Sequence, residues 1–378
     1  MKKKFLFAAV ALAAMTSCSN DEVVNVNNGD AISFRASLDK AISRGAETTL
    51  QNLEAFNVTA VGNGKNYFTN LGVTSSDNGV NWNTVSTYYW PSFDLKFFAY
   101  APQTGIGTVN ITDAEQKIVG FTPKQNVAEQ QDLVVAYNTG TRQANEGNGV
   151  ALNFKHALSQ IAVQAKCLNS NIKIEVKGVR IVNAATGADF TFPTDQTLQN
   201  YTLPQSQWGS LSGENNPSKA YKIEGTPVVL GETSKSLMFD QGNFMLIPQR
   251  LTPWASNKTL TGAYLSVLCR ISNIDGENEV LLYPLATADN LQVGKYAYSA
   301  VAIDTNWEPG KKYTYTLTFC GDGGGAGRID PNPEIDNPNV DPNPIPGKDK
   351  GDLILGKPIK FTVSVDPWQE ESKEITMD

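Results

Sequence analysis

Histidine is almost missing from this 378-residue chain: His156 is the single one. That scarcity removes most histidine-based acid–base and metal chemistry from consideration. Cysteine is nearly as rare. Of the four, Cys18 lies close to the N-terminus. Cys167, Cys269 and Cys320 stand far apart, with no CxxC pair and no histidine cluster, so a zinc site has no ligand set. Three is an odd number and forbids complete pairing; one disulfide or buried free thiols both fit it. No Gly-x-Ser-x-Gly, His-Glu-x-x-His or phosphate-loop pattern occurs. Asp132 has no second carboxylate at a suggestive spacing. The sequence therefore assigns no catalytic residue, metal or cofactor. A formal net charge of −7 argues against a nucleic-acid partner. Beyond the N-terminus there is no apolar run of the about 20 residues that a membrane helix needs. Strongly helical stretches are scarce, whereas Gly, Asn, Thr and Ser abound.

At the N-terminus, Lys2, Lys3 and Lys4 precede a short apolar run over residues 5–14, which ends in Met15-Thr16-Ser17-Cys18. The run is too short to cross a bilayer and reads as a secretion signal over residues 1–17. A cysteine directly after small residues resembles a bacterial lipobox, in which cleavage precedes the cysteine and Cys18 is then acylated. Acyl chains bury methylenes in lipid at about 0.8 kcal/mol each, so more than one chain gives stable anchoring. Lipid on Cys18 is thus expected to hold the protein at the outer membrane. A plain signal peptide with a chance cysteine is the other account. Residues 18–30 read as a polar tether. Within them Ser19-Asn20-Asp21-Glu22 resembles the surface-export signal of lipoproteins in Bacteroides-type bacteria.

Strand-like runs dominate the rest. Those at 56–61, 95–100 and 132–137 are followed by Gly62-Asn63-Gly64, Ala101-Pro102 and Asn138-Thr139-Gly140. Short strands separated by turn residues predict an all-β sandwich. The polar, glycine-rich stretch 138–149 marks a boundary, with one domain at 31–148 and a second at 149–320. The second carries runs at 150–154, 160–165, 172–176, 179–182, 244–247, 264–268, 279–283 and 312–319. It too reads as a sandwich. Composition then changes abruptly. Residues 321–351 are rich in Gly, Pro, Asp and Asn, which predicts an extended, mobile linker with no core. Thirty such residues at about 3.1 Å each would reach roughly 90 Å. Their proline-interrupted aspartates do not match a calcium loop. Residues 352–378 read as a C-terminal strand extension.

Two segments at opposite ends read alike. Residues 32–39 are Ile-Ser-Phe-Arg-Ala-Ser-Leu-Asp and residues 359–366 are Ile-Lys-Phe-Thr-Val-Ser-Val-Asp, identical at four of eight positions. Ile32, Phe34, Ala36 and Leu38 fall on one strand face, matched by Ile359, Phe361, Val363 and Val365. Two strands with one pattern can compete for one slot. A chain carrying both can give the copy to a neighbour, which is the logic of donor-strand exchange. The residues alone leave two ordinary strands as the other account.

Several further stretches carry a resemblance. Ile32-Ser33-Phe34 is followed shortly by Ser43-Arg44, and Tyr88-Tyr89-Trp90-Pro91 runs into the apolar stretch 95–102. Residues 132–136 and 152–159 complete an ordered pattern that resembles the Mfa-like branch of the fimbrillin family. The likeness covers most of residues 30–320 and the tail 361–368. It implies two tandem transthyretin-like β-sandwich domains, export as a lipoprotein, and assembly with other fimbrial subunits into type V pili. It also implies that an Arg-specific maturation protease removes the first strand, whose groove a neighbour's C-terminal strand then fills. Carried onto this chain, Arg44 followed by Gly45 is the cut, residues 32–39 are displaced and residues 359–366 are donated. Arg35, inside the strand, is a poorer site. The expected role is a stalk or anchor subunit supporting adhesion, not an enzyme. The alternative is a monomeric surface glycan-binding lipoprotein with its tail docked on its own chain. Tyr88, Tyr89 and Trp90 could stack on sugars but read better as core. His156, between Phe154 and Leu158, reads as a structural hydrogen-bonding residue.

Overall fold

The computed structural model describes residues 31–38, 48–255, 259–285, 294–321 and 324–368. Cys18, Arg44 and Gly45 lie outside the described residues. Among those residues the chain is almost wholly β, as its alternating patterns predict. The first sheet runs β1 (Phe34–Leu38), β9 (Val150–His156), β8 (Val134–Gly140), β5 (Leu95–Ala101), β2 (Ala55–Gly62), β3 (Lys65–Thr74), β4 (Asn83–Thr84). β5 and β8 are covered on both faces, so their sequences are continuous apolar runs and not alternating ones. Leu95, Phe97, Ala99, Val134 and Ala136 face one core; Phe98, Tyr100, Val135 and Tyr137 face another. The sheet curls strongly. Phe34 on its edge meets Phe97 and Phe56, three and four strands away, with ring centroids 5.7 and 6.4 Å apart. The second core is closed by a sheet of β13 (Trp208–Ser212), β12 (Gly187–Thr191), β7 (Gln116–Phe121) and β6 (Thr108–Ile111).

The C-terminal body is a two-sheet sandwich around one core. One sheet contains β15 (Lys235–Ser236), β10 (Ser159–Cys167), β20 (Lys311–Phe319) and β22 (Lys360–Pro367), with β16 (Phe244–Leu246) also on β10. The other contains β14 (Tyr221–Val229), β11 (Ile172–Val182), β17 (Tyr264–Asp275), β19 (Ala297–Ala302) and β21 (Arg328–Ile329), with β18 (Asn278–Tyr283) on β17. The runs at 172–176 and 179–182 form one strand, with a shift of register between Val176 and Gly178. β9 still belongs to the first sheet, so the changeover between bodies falls at 157–158. Pairing of β7 with β12 also joins strands from both halves of the sequence.

The expected mobile linker is instead a packed wrap over residues 324–351. β21 adds to β19, and Val340 bridges to Tyr296. The chain then returns beside itself: the Ile329 and Ile354 N–H groups donate to the Asp352 and Gly327 carbonyls at 2.9 and 3.0 Å. Composition misled because the glycines here serve close approach, not freedom. A Cβ on Gly325 would collide with the Lys357 carbonyl, and Gly327 has φ +89°. Asp330 pins the wrap. Its buried carboxylate accepts from Arg180 at 2.8 Å, from the Tyr264 hydroxyl at 3.1 Å, from the Ser266 hydroxyl, and from the Asn332 N–H at 2.7 Å. Arg180 is only 2% exposed and lies 3.9 Å above the Tyr298 ring. Burial works against its charge, but Asp330 and the surrounding oxygens more than offset this, so the guanidinium pKa is raised.

Replacing Asp330 leaves Arg180 inside the sandwich with only Glu334, 3.7 Å away, as a carboxylate partner. Asp330→Ala should cost about 3–5 kcal/mol in urea unfolding, the range for breaking a buried pair. Adding Arg180→Met should recover most of that loss. A cost below about 1 kcal/mol, the scale of a surface pair, would show that this contact does not hold the wrap.

Candidate functional site

The two look-alike segments occupy unequal berths. β1 pairs in parallel with β9, with Phe34 opposite Val150, Ala36 opposite Leu152 and Leu38 opposite Phe154. Its apolar face is closed off from water: Ile32, Phe34 and Leu38 are 4, 6 and 7% exposed. Ala36 is half-buried. At about 1.5–3 kcal/mol per large side chain, the three contribute roughly 5–9 kcal/mol of gross burial. The Ile32 N–H donates to the Tyr88 carbonyl and the Val150 N–H to the Ser33 carbonyl, both at 2.8 Å. Yet β1 is an edge strand. Without it, β9 would present an unpaired edge above a groove floored by Phe56, Phe97 and Phe154.

β22 lies antiparallel to β20, with Phe361 opposite Leu317, Val363 opposite Tyr315 and Val365 opposite Tyr313. Only Ile359 of its apolar set is buried there. Phe361 and Val363 are half-buried, and Val365 is 52% exposed. The pattern that is largely enclosed in β1 is therefore less covered in β22.

Beyond β22 the tail crosses to the other body. Trp368 packs into the second core, and its N–H donates to the Gly310 carbonyl at 3.0 Å. Its indole stacks on the His156 ring at 4.2 Å between centroids and 7° between planes. His156 Nδ1 lies 2.7 Å from Asp132 Oδ2, which also accepts from the Thr48 N–H at 3.2 Å. The carboxylate assigns a ring proton to Nδ1. Asp132 Oδ1 and His156 Nε2 are buried without a hydrogen-bond partner. His156 is buried and hydrogen-bonded to Asp132. Its partner, 24 positions away, carries no spacing signal in the sequence.

Most of the aromatic cluster belongs to the first core. Tyr88 packs against the first core and Trp90 is buried, which leaves Tyr89 alone at 54% exposure. A cleft of about 470 Å³ beside Asp132 is lined by Asn52, Glu54, Gln103 and Gln131, without an aromatic ring. Among the described residues no group of three His, Cys, Asp or Glu side chains is arranged to hold a metal ion.

A family model described as fimbrillin-like matches residues 43–335. The crystal structure of a fimbrial protein from Bacteroides vulgatus ATCC 8482 is similar in fold, with a TM-score of 0.54 at 16% identity over 90% of this chain and 100% of that one. Structures of candidate cell adhesion proteins from Bacteroides ovatus ATCC 8483 and Bacteroides uniformis ATCC 8492 superpose at 0.44 and 0.43. They share 13% and 16% identity over 90% of this chain and 99% of each of theirs, and so distant a match carries no argument. No curated protein matches the chain.

If the stack on His156 holds the tail, Trp368→Ala should loosen β22 first. Backbone amides of residues 360–367 should exchange with deuterium faster by on the order of 10–100-fold, the scale of losing one to three kcal/mol of local protection. Those of β11 and β17 should be unchanged. Equal acceleration everywhere would mean that Trp368 supports the whole fold and not the tail.

Proposed function

The chain belongs to the fimbrillin-like family, and from that premise we propose that it is a structural subunit, stalk or anchor, of a type V-like fimbria that supports adhesion. In this reading it is exported as a lipoprotein, held at the outer membrane through acylated Cys18, and matured by an Arg-specific protease that cuts between Arg44 and Gly45. Cutting there would separate β1 from the rest of the subunit. β1 could then leave, and residues 359–366 of a neighbouring subunit would pair with β9 and refill the groove. The family and the shared fold point to a structural, non-enzymatic protein.

The inequality of the two berths carries the proposal. On β20 Phe361 and Val363 are only partly buried and Val365 is 52% exposed, and the groove of β1 would enclose that surface. The replacement also fits in volume. Phe34 meets an identical Phe361; Ala36→Val363 adds bulk where Leu38→Val365 removes it, the kind of conserved total that cores tolerate. In the uncut chain β1 fills its own groove, so premature exchange is blocked.

One observation favours a second reading. β22 docks on its own chain, as the tail of a monomeric glycan-binding surface lipoprotein would. The uncut subunit predicts the same placement, so the cut decides. Protein lacking residues 1–18, treated with an Arg-specific protease, should acquire a new N-terminus at Gly45 and give a detergent-resistant ladder on unboiled gels. A chain truncated after Gly351 should be cut and stay monomeric, and Arg44→Ala should abolish both the cut and the ladder. Cut protein that remains monomeric whether or not it carries the tail would sink self-exchange and move the reading to the glycan binder.

A further inference from the structure

Two of the three described cysteines meet in the C-terminal sandwich. Cys167 is the last residue of β10, and Cys320 directly follows β20. These strands run parallel with Cys167 opposite Phe319, so Cys320 lies one residue beyond the pairing. Neighbouring strands are about 4.8 Å apart and one residue advances about 3.3 Å, which places the two Cα atoms on a diagonal of roughly 6 Å. Disulfides span Cα separations of about 4.4–6.8 Å.

Alternation alone would send the Cys320 side chain to the face opposite Phe319. Its left-handed backbone, φ 49°, breaks that alternation. The side chain packs instead against the core cluster that contains Cys167. A left-handed conformation is uncommon for a residue with a Cβ. Glycine would take it without strain, and Gly321 stands next in the chain. A cysteine occupies the strained position all the same.

The reactivity of the pair agrees with this geometry. The Cys320 donor, working against burial and helped by the Asn169 backbone, brings the Cys167 thiol down to about 7. Cys320 is partly exposed, unlike Cys167, so a reagent has a way to it. Cys269 differs: it is fully enclosed on β17 in the opposite sheet, and burial pushes its thiol up. Three thiols thus divide into a pair and a spare.

We propose that Cys167 and Cys320 are a disulfide site, closed by exchange with a disulfide donor. Cys320 passes its proton to the Cys167 thiolate while its own sulfur attacks one sulfur of the donor, and the donor's other half leaves as a thiolate. Cys167 then loses its proton to solvent and attacks Cys320 Sγ, forming the S–S bond and expelling the second half. Two electrons pass from the protein to the donor, whose disulfide is reduced to two thiolates; the one proton held by the pair goes to solvent, from which the two donor halves are protonated. The bond ties β10 to β20, the strand on which β22 docks. The site rests on the C-terminal sandwich and is independent of strand exchange; the export proposed above supplies only the oxidising compartment.

The test uses the full chain with Cys18→Ser, reduced and then incubated folded with glutathione disulfide. Its mass should fall by about 2 Da. Peptide mapping should join the peptide of Cys167 to that of Cys320, and unfolding should then expose one titratable thiol. Thermal unfolding should move up by roughly 5 °C or more, because the bond closes a long loop. Cys269→Ser should still form the bond. Mapping on the three-cysteine chain makes the result independent of whether Cys167→Ser or Cys320→Ser folds. A lasting glutathione adduct on Cys320, a bridge that includes Cys269, or three unreacted thiols would each overturn the assignment.

Discussion

A guanidinium enclosed in a β-sandwich can stay charged only if a carboxylate is delivered to it. Here the carboxylate comes from Asp330, 150 residues beyond Arg180. The C-terminal body therefore cannot complete its own interior until the chain beyond β20 has wrapped around it. Once Asp330 is seated beneath Tyr264 and Ser266, the remaining path is narrow. Residues 351–358 must return alongside 325–329, and that return delivers β22 to the free edge of β20. The position of the tail strand is thus a consequence of one buried ion pair. Such a pair is poor evidence of net stability, since desolvation offsets much of the attraction. Its contribution is to select a single path for the tail.

The same eight-residue pattern occurs in two settings that differ in what they cover. β1 completes a curled sheet whose phenylalanines converge from strands far apart in sheet order. β22 lies along an outer edge and covers less of itself. Both are edge strands of their sheets, so neither is locked by neighbours on two sides. Asp132 and His156 form a buried pair that accepts from the Thr48 N–H and carries the Trp368 ring.

Much of this was legible in the sequence, for a clear reason. Apolar periodicity reports how many faces of a strand are covered, and the runs at 56–61, 95–100, 132–137 and 312–319 all became strands. The matched faces of 32–39 and 359–366 were visible for the same reason. Short strands such as Thr108–Ile111 and Gly187–Thr191 were not, because four or five half-polar residues carry no period worth reading. Residues 321–351 were misread because composition counts side chains, whereas the glycines there act through backbone proximity. Asp330 looked like one more polar linker residue until Arg180 stood beside it. The Cys167–Cys320 contact depends on a parallel pairing between strands about 150 residues apart, and no local pattern encodes that.

The wrapped tail also has a mechanical meaning. A loose tether of thirty residues would behave as a spring, stretching under small forces before any folded part felt a load. This tail has no such slack over its described length. Tension along β22 would act in shear on its whole ladder with β20, then on the return at 351–358, and then on the seat of Asp330 in the sandwich. A molecule held by this end is coupled rigidly to what holds it. Its extension under load is set by the rupture of sheets and not by the uncoiling of a linker.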